Sequence, residues 1–142
     1  MTNEARKIRN VSAIFLYDDN GKILLQHRGP EMKVPNKWAF FGGKIEEGET
    51  SLKAVVREIK EELNYDLKKP KFIAKHDFIY ANLEGTLYGF IERYDGSELT
   101  QLEGDGMGWY TFSEAFALGF TEPDETLLKK IEKRFDAMKD KN

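Results

Sequence analysis

The segment from Gly43 to Tyr65, GKIEEGETSLKAVVREIKEELNY, constrains this chain more than any other stretch. A glycine pair, Gly42 and Gly43, leads into a short acidic loop, and the loop leads into a helical pattern. Apolar residues at Leu52, Val55, Val56, Ile59 and Leu63 keep the i, i+3, i+4, i+7 spacing of one buried helix stripe. With Thr50 as N-cap, the helix is expected over 51–63. At about 100° per residue, Glu58 and Glu62 fall side by side just beyond that stripe, with Glu61 on their outer flank. Two carboxylates about 5 Å apart repel by roughly 3 kcal/mol at an effective dielectric near 20. A helix that holds three of them at the rim of a packed face calls for a cation, and hard oxygen ligands suit magnesium or manganese. Acidic helix faces are more often plain solvated surface, so the carboxylates alone leave both readings open.

The spacing of the flanking residues separates the two. Gly43, Glu49, Arg57, Glu58, Ile59, Glu61 and Glu62 resemble the Nudix box, G-x5-E-x7-R-E-U-x-E-E-x-G-U, where U is a bulky apolar residue. Two positions depart from it. Asn64 replaces the last glycine, and asparagine is the non-glycine residue best suited to the left-handed conformation that ends a helix. Tyr65 replaces an aliphatic residue and keeps its bulk.

The resemblance implies an α/β (α+β) fold, an α/β/α sandwich around a mixed sheet, covering nearly the whole chain. It also implies hydrolysis of a nucleoside diphosphate linked to a further group, with Mg2+ as cofactor and Mn2+ able to substitute. Metal ligands would come from Glu58, Glu61 and Glu62, with the Gly42 carbonyl open to a metal because no side chain crowds it. Arg57 would orient the neighbouring carboxylates. Glu49 would brace the loop against the helix, although an acid favoured by the helix dipole is an equally good account of it. Leu102 to Trp109 resembles the E-G-x-x-x-x-W loop of MutT-type members, which makes Glu103 a further metal ligand. Glu58 and Glu103 both stand as candidates for the general base, with Asp105 the rival of Glu103 in its loop.

Substrate contacts are less sharply written. Arg28 matches a position that holds a substrate phosphate in MutT-type enzymes, a task suited to a planar guanidinium; a strand-end surface charge is the plain alternative. Lys44 adjoins the glycines and could assist with phosphates or simply be exposed. His27 is expected on the opposite strand face. Phe40, Phe120 and Tyr80 are candidates for stacking on a base, against a background in which most aromatic residues are core. Asp124 lines up with the segment where MutT-type members read a purine edge, and it is an equally good N-cap for the last helix.

Composition narrows the classes around this reading. The chain of 142 residues is expected to form one domain, 1–142, with 1–8 a flexible tail. A net charge of −3 argues against a duplex-binding surface. The absence of cysteine removes disulfides, thiol nucleophiles and thiolate zinc sites. No apolar run reaches a membrane span and no signal pattern opens the chain, so the expected location is cytoplasmic.

Strands are expected at 11–17 and 22–28 around an Asn20-Gly21 turn, at 38–41, at 72–80 and 86–94 around a turn at 82–85, and at 109–112. A brief helix starts at Ser113 and a final amphipathic one spans 124–138. Among substrates, the expectation is a (d)NTP, oxidised or noncanonical nucleotides included, cleaved to NMP and pyrophosphate. NDP-sugars, ADP-ribose and dinucleoside polyphosphates are the alternatives within the superfamily. A nucleotide-binding module without turnover is the alternative of another class, opposed by the complete set of box acids. The partner is a small-molecule nucleotide, and the protein a monomer or homodimer.

Overall fold

The computed structural model describes residues 5–28, 37–102 and 105–139. Its strands are β1 (Lys7–Ile8), β2 (Val11–Tyr17), β3 (Ile23–His27), β4 (Trp38–Ala39), β5 (Phe41–Lys44), β6 (Lys71–Tyr80), β7 (Leu83–Arg93) and β8 (Met107–Tyr110). The helices are α1 (Ser51–Leu63), α2 (Phe112–Phe116) and α3 (Glu122–Lys139). The strands join in one mixed sheet. β2 lies parallel to β7, and β7 pairs antiparallel with β6. On its other side β2 meets β3 only at Tyr17↔Ile23, then pairs with β5 from Val11 to Ile14. β3 continues instead alongside β4 and β8. The sheet therefore divides where β2 and β3 part, and the chain segment that changes partners there is 38–44.

Alternation along the strands sends side chains to two cores. Ile14, Leu16, Leu24 and Phe41 pack under α1 with Val55, Ile59, Leu63 and Tyr65. Ala13, Phe15, Ile23, Leu25 and Phe40 pack on the other face with Leu127, Leu128, Ile131 and Phe135 of α3. Helices on both faces of a mixed sheet make the expected α/β/α sandwich.

Several local expectations hold. Thr50 accepts from Lys53 N to start α1, and Asn64 closes it in the left-handed conformation at φ 51°, ψ 39°. Other boundaries differ for identifiable reasons. The 38–41 strand is two strands broken at Phe40, because the chain leaves β3 for β2 at that residue. Residues 7–8, expected in a flexible tail, form β1 against Leu83 and Glu84 of β7. That pairing also accounts for Gly85: a Cβ there would strike the Arg9 carbonyl. The glycine thus lies inside β7 rather than in a turn, and the hairpin turns tightly at Ala81 and Asn82, between the paired Tyr80 and Leu83. α3 starts at Glu122, two residues earlier than expected. Thr121 accepts from Glu125 N at 2.9 Å, and Pro123 fits a first helical turn, where its missing N–H has no partner to lose.

Candidate active site

The acidic loop and α1 are tied together by one arginine. Arg57 donates through Nε and Nη2 to the two Glu49 oxygens at 2.7 and 2.9 Å, a two-pronged pairing. Its Nη1 reaches Glu58 Oε1 at 2.8 Å and Glu61 Oε2 at 3.3 Å, and Nη2 reaches the Lys44 carbonyl at 3.1 Å. Glu49 in turn accepts from Glu46 N at 2.9 Å. The Arg57 hydrogen bonds, with that backbone donor, hold the Glu49 carboxyl down at about 2. Arg57 itself is pushed above the usual guanidinium value, first by the Glu49 hydrogen bond. Glu49 is thus a brace between loop and helix rather than a free helix-start acid.

The carboxylates separate by environment. Glu62 is buried within the α1 stripe with Ala54, Val55, Ile59 and Leu63. Leu52 and Val56, expected in that stripe, are exposed at 45% and 37%. The stripe is rotated towards Glu62 because its carboxylate has a partner inward: Gly42 N donates to Glu62 Oε2 at 2.9 Å. Glu58 lies against the next residue, where a Cβ on Gly43 would stand 2.5 and 2.6 Å from the two Glu58 oxygens. The glycine pair therefore clears space for one carboxylate and supplies a backbone donor to the other. Glu61 is different. Its side chain is 59% exposed and turned to Arg57, and it does not line the cleft described below.

Glu58, Glu62, Gly42 and Gly43 line a cleft of about 410 Å³. Val11 and Ala13 of β2, beside the point where β2 and β3 part, also line it, as do Arg28, Thr121, Pro123 and Asp124. Phe40, Phe78, Tyr80, Leu83 and Leu87 supply apolar wall, and Arg9 and Lys44 add positive charge. Asp124 sits in the first turn of α3 and is not its N-cap, a position left to Thr121 by the earlier helix start. Burial raises the Asp124 carboxyl from 3.8 to about 6, against the lowering effects of the Arg28 charge and a hydrogen bond with Thr121. The Arg28 Nε is buried without a hydrogen-bond partner among the described residues.

Of the residues expected from sequence, Gly42, Glu58, Glu62, Arg28, Phe40, Tyr80, Lys44 and Asp124 meet in this cleft. Phe120 does not line it. Its ring stacks behind Phe40 at 5.7 Å between centroids, where it is 9% exposed core. Asp105 faces His27 at 3.8 Å, and His27 packs edge-on against Trp38; neither reaches the cleft. Glu103 lies outside the described residues. The flanks of its loop are fixed, with Leu102 N bonded to the Glu62 carbonyl and Asp105 N to the His27 carbonyl.

Sequence reasoning passed over Gln26. It is 5% exposed, lines the cleft, and donates through Nε2 to the Phe40 carbonyl at 2.9 Å, patching the strand break. A polar residue closing the run Ile23-Leu24-Leu25 was the available signal. Phe78, Leu83, Leu87 and Thr121 had none, since their place in the wall depends on strand order. No group of three or more His, Cys, Asp or Glu gathers as a metal cage among the described residues. The donor set still fits a hard divalent cation: two carboxylates face one cleft, and a glycine keeps Glu58 clear.

The chain has recognisable relatives. The NUDIX domain profile matches residues 6–131. The 8-oxo-dGTP diphosphatase of Escherichia coli (strain K12) is 29% identical over 117 residues, 82% of this chain and 90% of that one. The CTP pyrophosphohydrolase of the same organism is 38% identical over 71 residues, about half of each chain. Among solved structures, the E. coli ORF135 protein superposes with a TM-score of 0.77 at 28% identity, covering 94% of this chain and 92% of that one. The MutT protein from Methanosarcina mazei Go1 reaches 0.81 at 16% identity, over 92% and 97%, and shares the fold. The chain belongs to the NUDIX domain family, as a MutT-like pyrophosphohydrolase. No helix among the described residues is long and apolar enough to cross a membrane.

Proposed function

We propose that this protein cleaves nucleoside triphosphates to nucleoside monophosphate and pyrophosphate, with Mg2+ as its working ion and Mn2+ as a substitute. One observation carries the reading: a single cleft is lined by the Glu58–Glu62 pair, an apolar wall and Asp124. A polyphosphate beside the carboxylates and a base against the apolar wall match that mixture of chemistry. Two relatives support the substrate class, one named for 8-oxo-dGTP and one for CTP.

Glu58 and Glu62 would hold the cation, with the Gly42 carbonyl and Glu103 completing its shell. When bound, the cation supplies charge neutralisation for the phosphoryl oxygens and lowers the pKa of attacking water. The protein contributes position. Arg57 fixes the Glu58 carboxylate through Oε1 and leaves Oε2 to accept a proton from water. Gly42 N fixes Glu62. Phe40, packed between Phe15 and Phe120, contributes to the cleft wall, and Asp124 would offer an edge contact to the base.

The test is a Mg2+-dependent panel of canonical and oxidised nucleoside triphosphates, NDP-sugars, ADP-ribose and dinucleoside polyphosphates, with products resolved by anion exchange. Monophosphate plus pyrophosphate from a triphosphate supports the reading. Turnover confined to NDP-sugars or dinucleotides moves the assignment within the family, and tight binding without turnover of any compound removes it.

A further inference from the structure

Gln26 is a buried amide at a position where the apolar run Ile23-Leu24-Leu25 would by pattern continue. Alternation puts it on the face of Leu24, the face that α1 covers. A buried amide is kept where it has a hydrogen-bonding task, and the register names that task. β4 pairs with β3 as far as Ala39, and β5 pairs with β2 from Phe41 onwards. Phe40 belongs to neither ladder, and its carbonyl takes the buried Gln26 Nε2 hydrogen bond at 2.9 Å.

Two rigid peptide planes link that carbonyl to a carboxylate of the cation site. The Phe40 carbonyl shares a plane with the Phe41 N–H, and the following plane carries the Gly42 N–H. Only the φ and ψ of Phe41 separate them, and Phe41 is locked in the α1 core at 1% exposure. The Gly42 N–H then donates to Glu62 Oε2 at 2.9 Å. Gly42 is the most permissive residue of the segment, at φ 154° with a Cβ position 2.1 Å from the Ser12 carbonyl oxygen. The direction of its N–H must therefore be set by its neighbours.

Resting on the nucleotide-hydrolase reading above, we infer that Gln26 is a positioning residue for the cation site: by holding the Phe40 carbonyl it aims the Gly42 N–H, and through it the Glu62 carboxylate. Its effect is exerted through Glu62 and not on the nucleotide. Without the amide, the Phe40 carbonyl loses its donor and the peptide planes up to Gly42 are free to turn. Glu62 then meets a cation in more than one orientation. Partners that orient a metal-binding carboxylate are worth about 10- to 100-fold in metal affinity, so cation binding is the property that Gln26 controls.

The experiment compares wild type with Gln26→Met, which keeps the volume and removes the donor, and Gln26→Asn, which keeps the amide and shortens its reach. Ile131→Val, a core change on the α3 face, serves as a control for lost stability alone. Thermal melts confirm folding. Mn2+ affinity is measured without nucleotide by electron paramagnetic resonance, and the Gly42 amide is followed in 1H–15N spectra of the metal-free protein. Turnover of the best nucleotide gives the Mg2+ half-saturation point and the nucleotide KM at saturating Mg2+. Both Gln26 variants should weaken Mn2+ binding about 10-fold or more and raise the Mg2+ half-saturation point in step. Nucleotide KM at saturating Mg2+ should stay within about threefold of wild type, the split expected of a residue that acts on the cation site alone. The Gly42 resonance should move in the direction that Glu62→Gln moves it, while Ile131→Val lowers Tm and leaves the other readouts in place. Gln26 variants that melt earlier but keep Mn2+ affinity and the Gly42 resonance would reduce Gln26 to a structural patch and overturn the inference. A raised nucleotide KM with unchanged Mn2+ affinity would overturn it too, by placing Gln26 on the nucleotide. A wild type that hydrolyses no nucleotide removes the hydrolase reading, and the Mn2+ and Gly42 readouts still decide the role of Gln26.

Discussion

Replacing Asp124 by asparagine should stabilise the protein at neutral pH and do so less as the solution is acidified. Burial moves this carboxyl from 3.8 to about 6 in the folded state. The folded protein therefore holds the proton over a range where the unfolded chain has released it, and stability falls as pH rises from about 4 through 6. At about 1.4 kcal/mol for each tenfold step, the full displacement is worth about 3 kcal/mol. The neutral amide of the Asp124→Asn variant carries no such penalty, so its stability relative to wild type should grow by up to about 3 kcal/mol between pH 4 and pH 8. For a chain near this size that is roughly 6 to 12 °C in Tm. Urea melts of both proteins at intervals from pH 4 to 8, with equal m-values, supply the measurement. Only the pH dependence of the difference counts, because a constant offset reflects packing and the Thr121 hydrogen bond. A difference that stays flat across the range would show that Asp124 is ionised at no cost, and the buried-acid account of it would be wrong.

Glu62→Gln should fold normally and lose roughly a hundredfold or more in kcat, since a neutral amide cannot hold a cation as a carboxylate does; single-turnover kinetics and a thermal melt decide it together. Gly43→Ala drives a methyl into the space of the Glu58 carboxylate and should cut activity about 10- to 100-fold, with Mg2+ titrations showing a raised half-saturation point. Arg57→Lys keeps a charge but loses the fork, so Glu49 should titrate well above about 2 by carbon-detected NMR, with activity falling in parallel. In wild type that depressed value means the Glu49–Arg57 brace persists above pH 4 and weakens only as pH falls towards 2.

Local chemistry was legible in the sequence; spatial adjacency was much less so. Thr50, the helix over 51–63 and the Asn64 cap follow from propensities that act within a few residues, and the structure reproduces each. The orienting role of Arg57 came from the family resemblance rather than from local propensity, and its hydrogen bonds to Glu49, Glu58 and Glu61, eight, one and four residues away, are compatible with it. Glu62 shows the limit. An apolar-residue count places it beside the buried stripe, whereas the Gly42 N–H, twenty residues away, draws it inside. Phe40 was expected to sit in one short strand, but the parting of β2 and β3 makes it a break and a cleft wall. Phe120 had the right residue type and the wrong direction, fixed by its stack on Phe40. The wall formed by Phe78, Leu83 and Leu87 depends on β6 and β7 lying beside β2, an order that no local pattern encodes. Gln26 was readable in principle, as a polar residue ending an apolar strand.

The central claim is that one cleft couples a carboxylate-held cation to cleavage of a nucleoside triphosphate. Product analysis by 31P NMR, with and without Mg2+, for wild type and Glu62→Gln on the best triphosphate tests it directly. The expected result is nucleoside monophosphate and pyrophosphate in equal amounts from wild type with Mg2+, and almost none with EDTA or with Glu62→Gln. Hydrolysis that persists in EDTA, a Glu62→Gln variant as fast as wild type, or release of inorganic phosphate with a nucleoside diphosphate would contradict it.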